Sequence, residues 1–314
     1  IGTLGRNGME GGAGEDADVF ASFTSSTKGA VAATDHRHVI FDRTTCPAVE
    51  IAAGGKVEVH GQLQVNAACS FPKSAIRMGD GASLQVKNGI LTVGAVTLPA
   101  EAASPPPRPG SPAVADPLAG TAAPVFDGVT FTIPESRTPL EGRHGRADSP
   151  STLLVDEPRT LSPGVYWGGL RVTSGGAATL EPGVYVIAGG GFMVHGTGQV
   201  TGREVVLYNT LDPVGAAGVG GYDQIVFGDS TVVALSAPGS GPYRGIVLFQ
   251  DRANGRPVEI AGTLGGFDGV IYAPSAELQV GGAVSGLRAD FLVGRLTTQG
   301  SFTLLPPTQI LSSG

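Results

Sequence analysis

Leu161-Ser162-Pro163-Gly164-Val165-Tyr166 returns nineteen positions later as Leu180-Glu181-Pro182-Gly183-Val184-Tyr185. Each copy joins a Pro-Gly corner to a short apolar run, and such self-similarity at a fixed spacing marks a repeat architecture. Farther on, Arg244-Gly245-Ile246-Val247-Leu248 is echoed by Asp268-Gly269-Val270-Ile271-Tyr272, and more loosely by Arg288-Ala289-Asp290-Phe291-Leu292-Val293. Val258-Glu259-Ile260-Ala261-Gly262 is echoed by Leu278-Gln279-Val280-Gly281-Gly282. A period near twenty, short strands within it and glycine at the corners predict an all-β parallel β-solenoid with coils of about 19–24 residues. One coil cannot bury its apolar side alone; stacked coils share a core and form ladders about 4.8 Å apart.

The same grammar appears earlier in the chain. Val39-Ile40-Phe41, Val49-Glu50-Ile51, Val57-Glu58-Val59, Leu63-Gln64-Val65, Leu84-Gln85-Val86 and Ile90-Leu91-Thr92-Val93 are short pieces alternating with period two. Residues 31–100 therefore form a first solenoid region and 126–305 a second, with a C-terminal tail over 306–314. Between them, residues 101–125 carry Ser104-Pro105-Pro106-Pro107-Arg108-Pro109-Gly110-Ser111-Pro112, an extended linker or crossover. Residues 1–30 are rich in Gly, Ser and Asp without a period and read as an irregular N-terminal arm. Only Ala100-Glu101-Ala102-Ala103 suggests a short helical piece.

Composition agrees. The 314 residues include 50 glycines and 23 prolines but only 15% charged residues. The interleaved Val, Ile, Leu and Tyr runs argue against disorder. A net charge of −7 gives nucleic acid no basic patch to meet. The longest apolar runs are too short for a membrane span. The chain begins at Ile1 without a signal peptide, which predicts a mature or excised segment.

Register yields two pairings. Cys46 and Cys69 stand 23 positions apart, about one coil, which predicts a disulfide. Aligning Gly245, Gly269 and Ala289 stacks Arg244, Asp268 and Arg288 as a surface ladder that fixes register.

Several stretches together resemble one family. These are Pro112-Ala113-Val114-Ala115-Asp116-Pro117-Leu118-Ala119-Gly120, the Pro-Gly-Val-Tyr element, Ser236-Ala237-Pro238-Gly239-Ser240-Gly241-Pro242-Tyr243, Leu248-Phe249-Gln250-Asp251-Arg252 and Gly269-Val270-Ile271-Tyr272-Ala273-Pro274. They are similar to the C-terminal surface region of TadE/TadG-like proteins of bacterial tight-adherence (Flp-type) pilus systems, over roughly residues 40–305. The usual N-terminal membrane helix of that family has no counterpart here. The resemblance implies a place outside the cytoplasm, a role in pilus assembly, anchoring or adhesion, and no catalytic residues. A fainter likeness is to ice-binding β-solenoids, but Thr173, Thr179, Thr197 and Thr201 do not recur at one coil period.

The search for reaction chemistry returns little. There is no Gly-x-Ser-x-Gly elbow, no Walker motif and no dinucleotide fingerprint. Gly215-Ala216-Ala217-Gly218-Val219-Gly220-Gly221 is glycine-rich without a following Lys. His36-x-His38 with Asp35 lacks a third soft ligand, and Glu15-Asp16-Ala17-Asp18 lacks the spacing of a calcium loop. Asp223, Asp229, Asp251, Asp268 and Asp290 are the carboxylates a polysaccharide-cleaving β-helix would need to gather. The expectation is a non-enzyme without cofactor or metal, located outside the bacterial cell. Its partners would be itself or other surface and pilus proteins, with a glycan-binding adhesin as the alternative. Its N-terminal arm and Ser301-Phe302-Thr303-Leu304-Leu305 would either cap the open ends of the solenoid or add a strand to a neighbour, and head-to-tail addition would build a filament.

Overall fold

The computed structural model describes residues 36–99, 101–214 and 221–308. The arm at 1–30, Asp35, the acidic cluster at 15–18 and most of the glycine run at 215–221 lie outside these. The described chain is all-β and dominated by parallel pairing, with one 21-stranded sheet and one 5-stranded sheet. Each turn of the chain lays strands on three faces of a solenoid. The first face carries Gly164–Trp167, Gly183–Ala188, Val205–Thr210 and Ile246–Gln250. The second carries Leu153–Val155, Leu170–Val172, Phe192–Val194, Ile225–Phe227 and Val258–Ile260. The third carries Pro158–Leu161, Ala177–Leu180, Gln199–Gly202 and Val232–Leu235. The later strands Phe267–Val280 and Ala283–Thr298 each run on around corners.

Alternation explains the interior. In Leu170–Val172 and Ala177–Leu180, Leu170, Val172, Ala178 and Leu180 are buried, whereas Arg171 and Thr179 are exposed. Aromatic rings stack up the axis, with Phe192 to Phe227 at 5.9 Å and Phe227 to Phe267 at 6.0 Å. Such pairs add about 0.5–1.5 kcal/mol beyond their buried area. The corners stack as closely as the strands. A Cβ at Gly300 would overlap the carbonyl of Gly282 one coil away, and Gly55 packs against the Gly300 carbonyl on the other side. Because the obstacle is backbone, Gly300→Ala is expected to cost about 2 kcal/mol, readable as a lowered urea midpoint.

The stacking order departs from the chain order. The last coil does not end the ladder: Val39 pairs with Leu292, Val49 with Leu296 and Val57 with Phe302. The N-terminal coil 37–59 thus lies on the C-terminal one, and Gln62–Val65, Ile76–Met78 and Ser83–Val86 extend the stack further. The stretches at 37–92 and 142–305 are one spliced solenoid. Ser301–Leu305, expected to cap an open end or add a strand to a neighbour, is instead an internal strand paired on both sides, by Ala283–Thr298 and by Lys56–Val59. Its Phe302 and Leu304 are core residues, which is why the apolar tail is not exposed.

The splice forces the chain to travel back. Residues 105–141 run from the newly added end to the far end along the first face. Buried side chains on that face, including Val186, Tyr208, Phe249 and Tyr272, cluster with Leu118, Phe131 and Leu140 of this strap. Within it, Val125–Phe126, Phe131–Ile133 and Thr138–Leu140 form a small antiparallel sheet, and Phe126 and Phe131 each lie 5.7 Å from the Trp167 ring. This stretch was expected to begin the second solenoid region; its antiparallel strands belong to the strap instead. Near Ala100, where a helical piece was expected, Ala103–Ser104 is a strand paired with Leu84 and Gln85.

Candidate interaction surfaces

Three motifs singled out in the sequence meet across the strap. Asp116 Oδ2 accepts from the Tyr272 hydroxyl at 2.6 Å, and that hydroxyl accepts from Arg252 Nε at 2.7 Å. Arg252 Nη2 donates to the carbonyls of Leu118 at 2.7 Å and Thr121 at 2.9 Å. Its guanidinium lies 5.3 Å from the Phe249 ring and 5.2 Å from the Tyr272 ring. A second clasp holds the strap nearer its start, where Asn66 Nδ2 donates to Val114 O at 2.8 Å and Asn66 Oδ1 accepts from Val114 N at 3.0 Å.

The sequence-predicted pairs fall as follows. Cys46 and Cys69 form a disulfide with their Cα atoms 5.9 Å apart, joining the coils 37–59 and 62–86. Asp268 and Arg288 are register partners, but on the other side Asp268 bridges Ser236, and Arg244 sits in the turn ahead of its strand. The tail supplies further partners: Thr308 N–H donates to Asp268 at 2.8 Å and Arg288 donates to Pro306 O at 3.3 Å.

The histidines mark the splice. His38 is buried between the N- and C-terminal coils, accepting from Phe291 N–H through Nδ1 at 3.2 Å. Its Nε2 faces the His60 carbonyl at 3.4 Å. His36 Nδ1 stands 3.3 Å from Asp290 Oδ2, and Asp290 Oδ1 is 4.0 Å from His38. Burial lowers the affinity of His38 for a proton, and it outweighs the attraction of Asp290; His36 lowers it further. His60 itself pairs with Glu58 at 3.0 Å. A base held below its unfolded value of 6.5 binds fewer protons folded than unfolded, so stability rises with pH in that window. The protein should hold its full stability above about pH 6.5 and lose it as pH falls toward the folded value, by at most about 1.4 kcal/mol per pH unit. Urea titrations across pH 5–8 check this, and His38→Gln should flatten the slope.

Four of the five candidate carboxylates have different partners. Asp251 accepts from Tyr208 at 3.2 Å and Thr210 at 2.9 Å, Asp223 caps Gln224 N–H, and Asp290 and Asp268 are engaged as above. Asp229 lies in the turn before Val232–Leu235.

The third face is the most regular outward surface. Thr160, Thr179, Thr201 and Ala234 are successive register partners, and beside them run Pro158, Ala177, Gln199 and Val232. The threonines are exposed and neither row contains a charge. Parallel strands place neighbours in a row about 4.8 Å apart and the two rows about 6.6 Å apart. A threonine ladder therefore exists where the sequence predicted none. Its members are 19 and then 22 residues apart, and Thr173 and Thr197 lie in turns. Toward the splice the same face becomes polar, with a shallow groove lined by Lys56, Glu58, Ser83, Gln85 and Thr303. Hydrogen bonds from Lys87 and His60 hold the Glu58 carboxyl below its ordinary range.

No family model, curated protein or solved structure matches this chain.

Proposed function

We propose that this chain is a non-catalytic structural or interaction module of the bacterial surface, associated with a pilus and working outside the cytoplasm. The observation that carries the reading is the pair of straight, uncharged rows on the third face. Broad flat rows of Thr, Ala, Val and Gln lose little hydration on docking and present their methyls and hydroxyls at fixed spacing. The motifs similar to TadE/TadG-like proteins support the pilus, and the Cys46–Cys69 bridge suits an oxidising compartment. The test is co-sedimentation of the purified chain with tight-adherence pilus fibres. Wild type should pellet with the fibres, and Thr179→Glu with Thr201→Glu should weaken this about tenfold by burying charge. A wild-type chain that stays in the supernatant, or a variant that pellets equally, sinks the reading.

The ladder Thr160, Thr179 and Thr201 favours a second reading, in which the face meets a periodic solid such as ice. Inhibition of ice recrystallisation by wild type, lost in the same double variant, would select it over the first.

A further inference from the structure

The two ends of the stack differ. At the end built by residues 90–104 the chain covers part of its own edge. Arg108 bridges Leu91, donating to Ile90 O at 2.8 Å and accepting from Thr92 N at 3.0 Å. Ala75 N–H donates to Ala95 O at 2.9 Å, and Ala103–Ser104 lies on Ser83–Val86. At the opposite end Leu153–Val155 pairs only with Leu170–Val172, and Pro158–Leu161 only with Ala177–Leu180, among the described residues.

The hydrogen-bond pattern identifies the groups left facing outward. Leu153 N–H donates to Gly169 O and Val155 O accepts from Thr173 N–H, both at 3.0 Å. In a parallel ladder alternate residues serve opposite neighbours. The N–H and C=O of Leu154 therefore point off the end of the stack, as does the N–H of Thr152, whereas the Asp156 carbonyl faces Gly175 of the next coil. The Leu154 side chain is 51% exposed. The adjacent edge is blunted, because Pro158 has no N–H to offer.

We propose that Leu153–Val155 is a docking edge for the same edge of a second copy, paired antiparallel about Leu154. That register sets Leu153 opposite Val155, so the outward N–H and C=O of each Leu154 find their partners on the other copy. Charge permits the approach. Residues 141–161 hold four acidic side chains (Glu141, Asp148, Asp156, Glu157) and three basic ones (Arg143, Arg146, Arg159), a net −1 against −7 for the chain. Four of these charges are already neutralised as ion pairs, Arg143 with Glu141 at 3.1 Å and Arg146 with Asp148 at 3.3 Å. Because both copies use the same edge, this contact closes on itself as a two-fold pair and does not propagate as a head-to-tail filament. The inference stands apart from the surface reading above and holds whatever the third face binds.

Sedimentation of the full chain over a concentration series reaching hundreds of micromolar tests it, with hydrogen exchange read at the Leu154 amide. A reversible dimer is expected, with protection of that amide rising with concentration. Leu154→Pro removes only an outward-facing donor and should weaken the dimer at least about tenfold while leaving the circular dichroism spectrum unchanged. Leu154→Lys, which sets two ammonium groups together on the axis, should do the same and guards against a misfolded proline variant. A monomer throughout overturns the proposal, as does a dimer indifferent to both substitutions. Concentration-independent protection of the Leu154 amide overturns it too, because the chain's own residues would then cover the edge.

Discussion

Arg252→Ala should lower the unfolding free energy by about 3 kcal/mol and release the strap before the solenoid opens. The magnitude follows from what the guanidinium holds. It donates to the Tyr272 hydroxyl and to the Leu118 and Thr121 carbonyls, and it covers the Phe249 and Tyr272 rings. Hydrogen bonds involving a charged group contribute about 1.5–3 kcal/mol each, but Arg252 is only half-buried and water will replace part of the loss. Alanine restores neither the donors nor the ring cover. Arg252→Lys should recover less than half, since one ammonium cannot span both carbonyls and the tyrosine in the forked geometry. Denaturant titration gives the size of the effect, and hydrogen exchange gives its place: amides at 116–133 should lose protection first. Asp116→Asn should couple to Arg252→Ala by about 1 kcal/mol in a double-mutant cycle, because both act on the Tyr272 hydroxyl. Uniform loss of protection across the whole solenoid would show that Arg252 does not act through the strap.

The clasp also shows where sequence reading stopped. Asp116-Pro117-Leu118 and Gln250-Asp251-Arg252 are both visible as motifs, yet Arg252 and Leu118 lie 134 positions apart. Periodicity says which side of a strand faces inward, and it does so well here: Leu170, Val172, Ala178 and Leu180 are core, as alternation requires. It says nothing about which coil lies beside which when the neighbour is not next in the chain. The pairing of Val39 with Leu292 leaves no local trace, because an edge strand and a central strand with both faces used carry the same Val-Ile pattern. The threonine ladder was missed for a related reason. Coils of unequal length defeat a fixed period, whereas the hydrogen-bonded register absorbs the extra residues in turns. The pairing of Cys46 with Cys69 was legible because those coils are consecutive and their offset is one coil.

Opening that bridge is the second large effect expected. Replacing both cysteines, Cys46→Ser with Cys69→Ala, should cost about 3 kcal/mol, the loop-closure value for a separation of 23 residues. Two features decide that the loss lies mainly in the unfolded chain. The backbone about Cys69 is clamped independently of sulfur, since Ala95 N–H donates to its carbonyl at 2.7 Å and Gly94 packs against its amide. The coils that the bridge joins are also held by the ladder from Arg37–Ile40 to Gln62–Val65. The folded geometry should therefore survive, while the reduced chain gains conformations the bridge denied it. Alanine at the buried Cys69 adds only a small cavity. The cost should be felt unevenly. Coils 37–59 and 62–86 are tied to the rest of the solenoid through the splice, where they rest on Ala283–Thr298 and Ser301–Leu305, and to the strap through Asn66. Without the bridge these coils should peel away below the global transition, seen as early loss of amide protection at Val49–Ile51 and Ile76–Met78. Denaturant titrations with and without reductant measure the total, and an unchanged midpoint in the reduced protein would show that the splice alone holds the N-terminal coils in place.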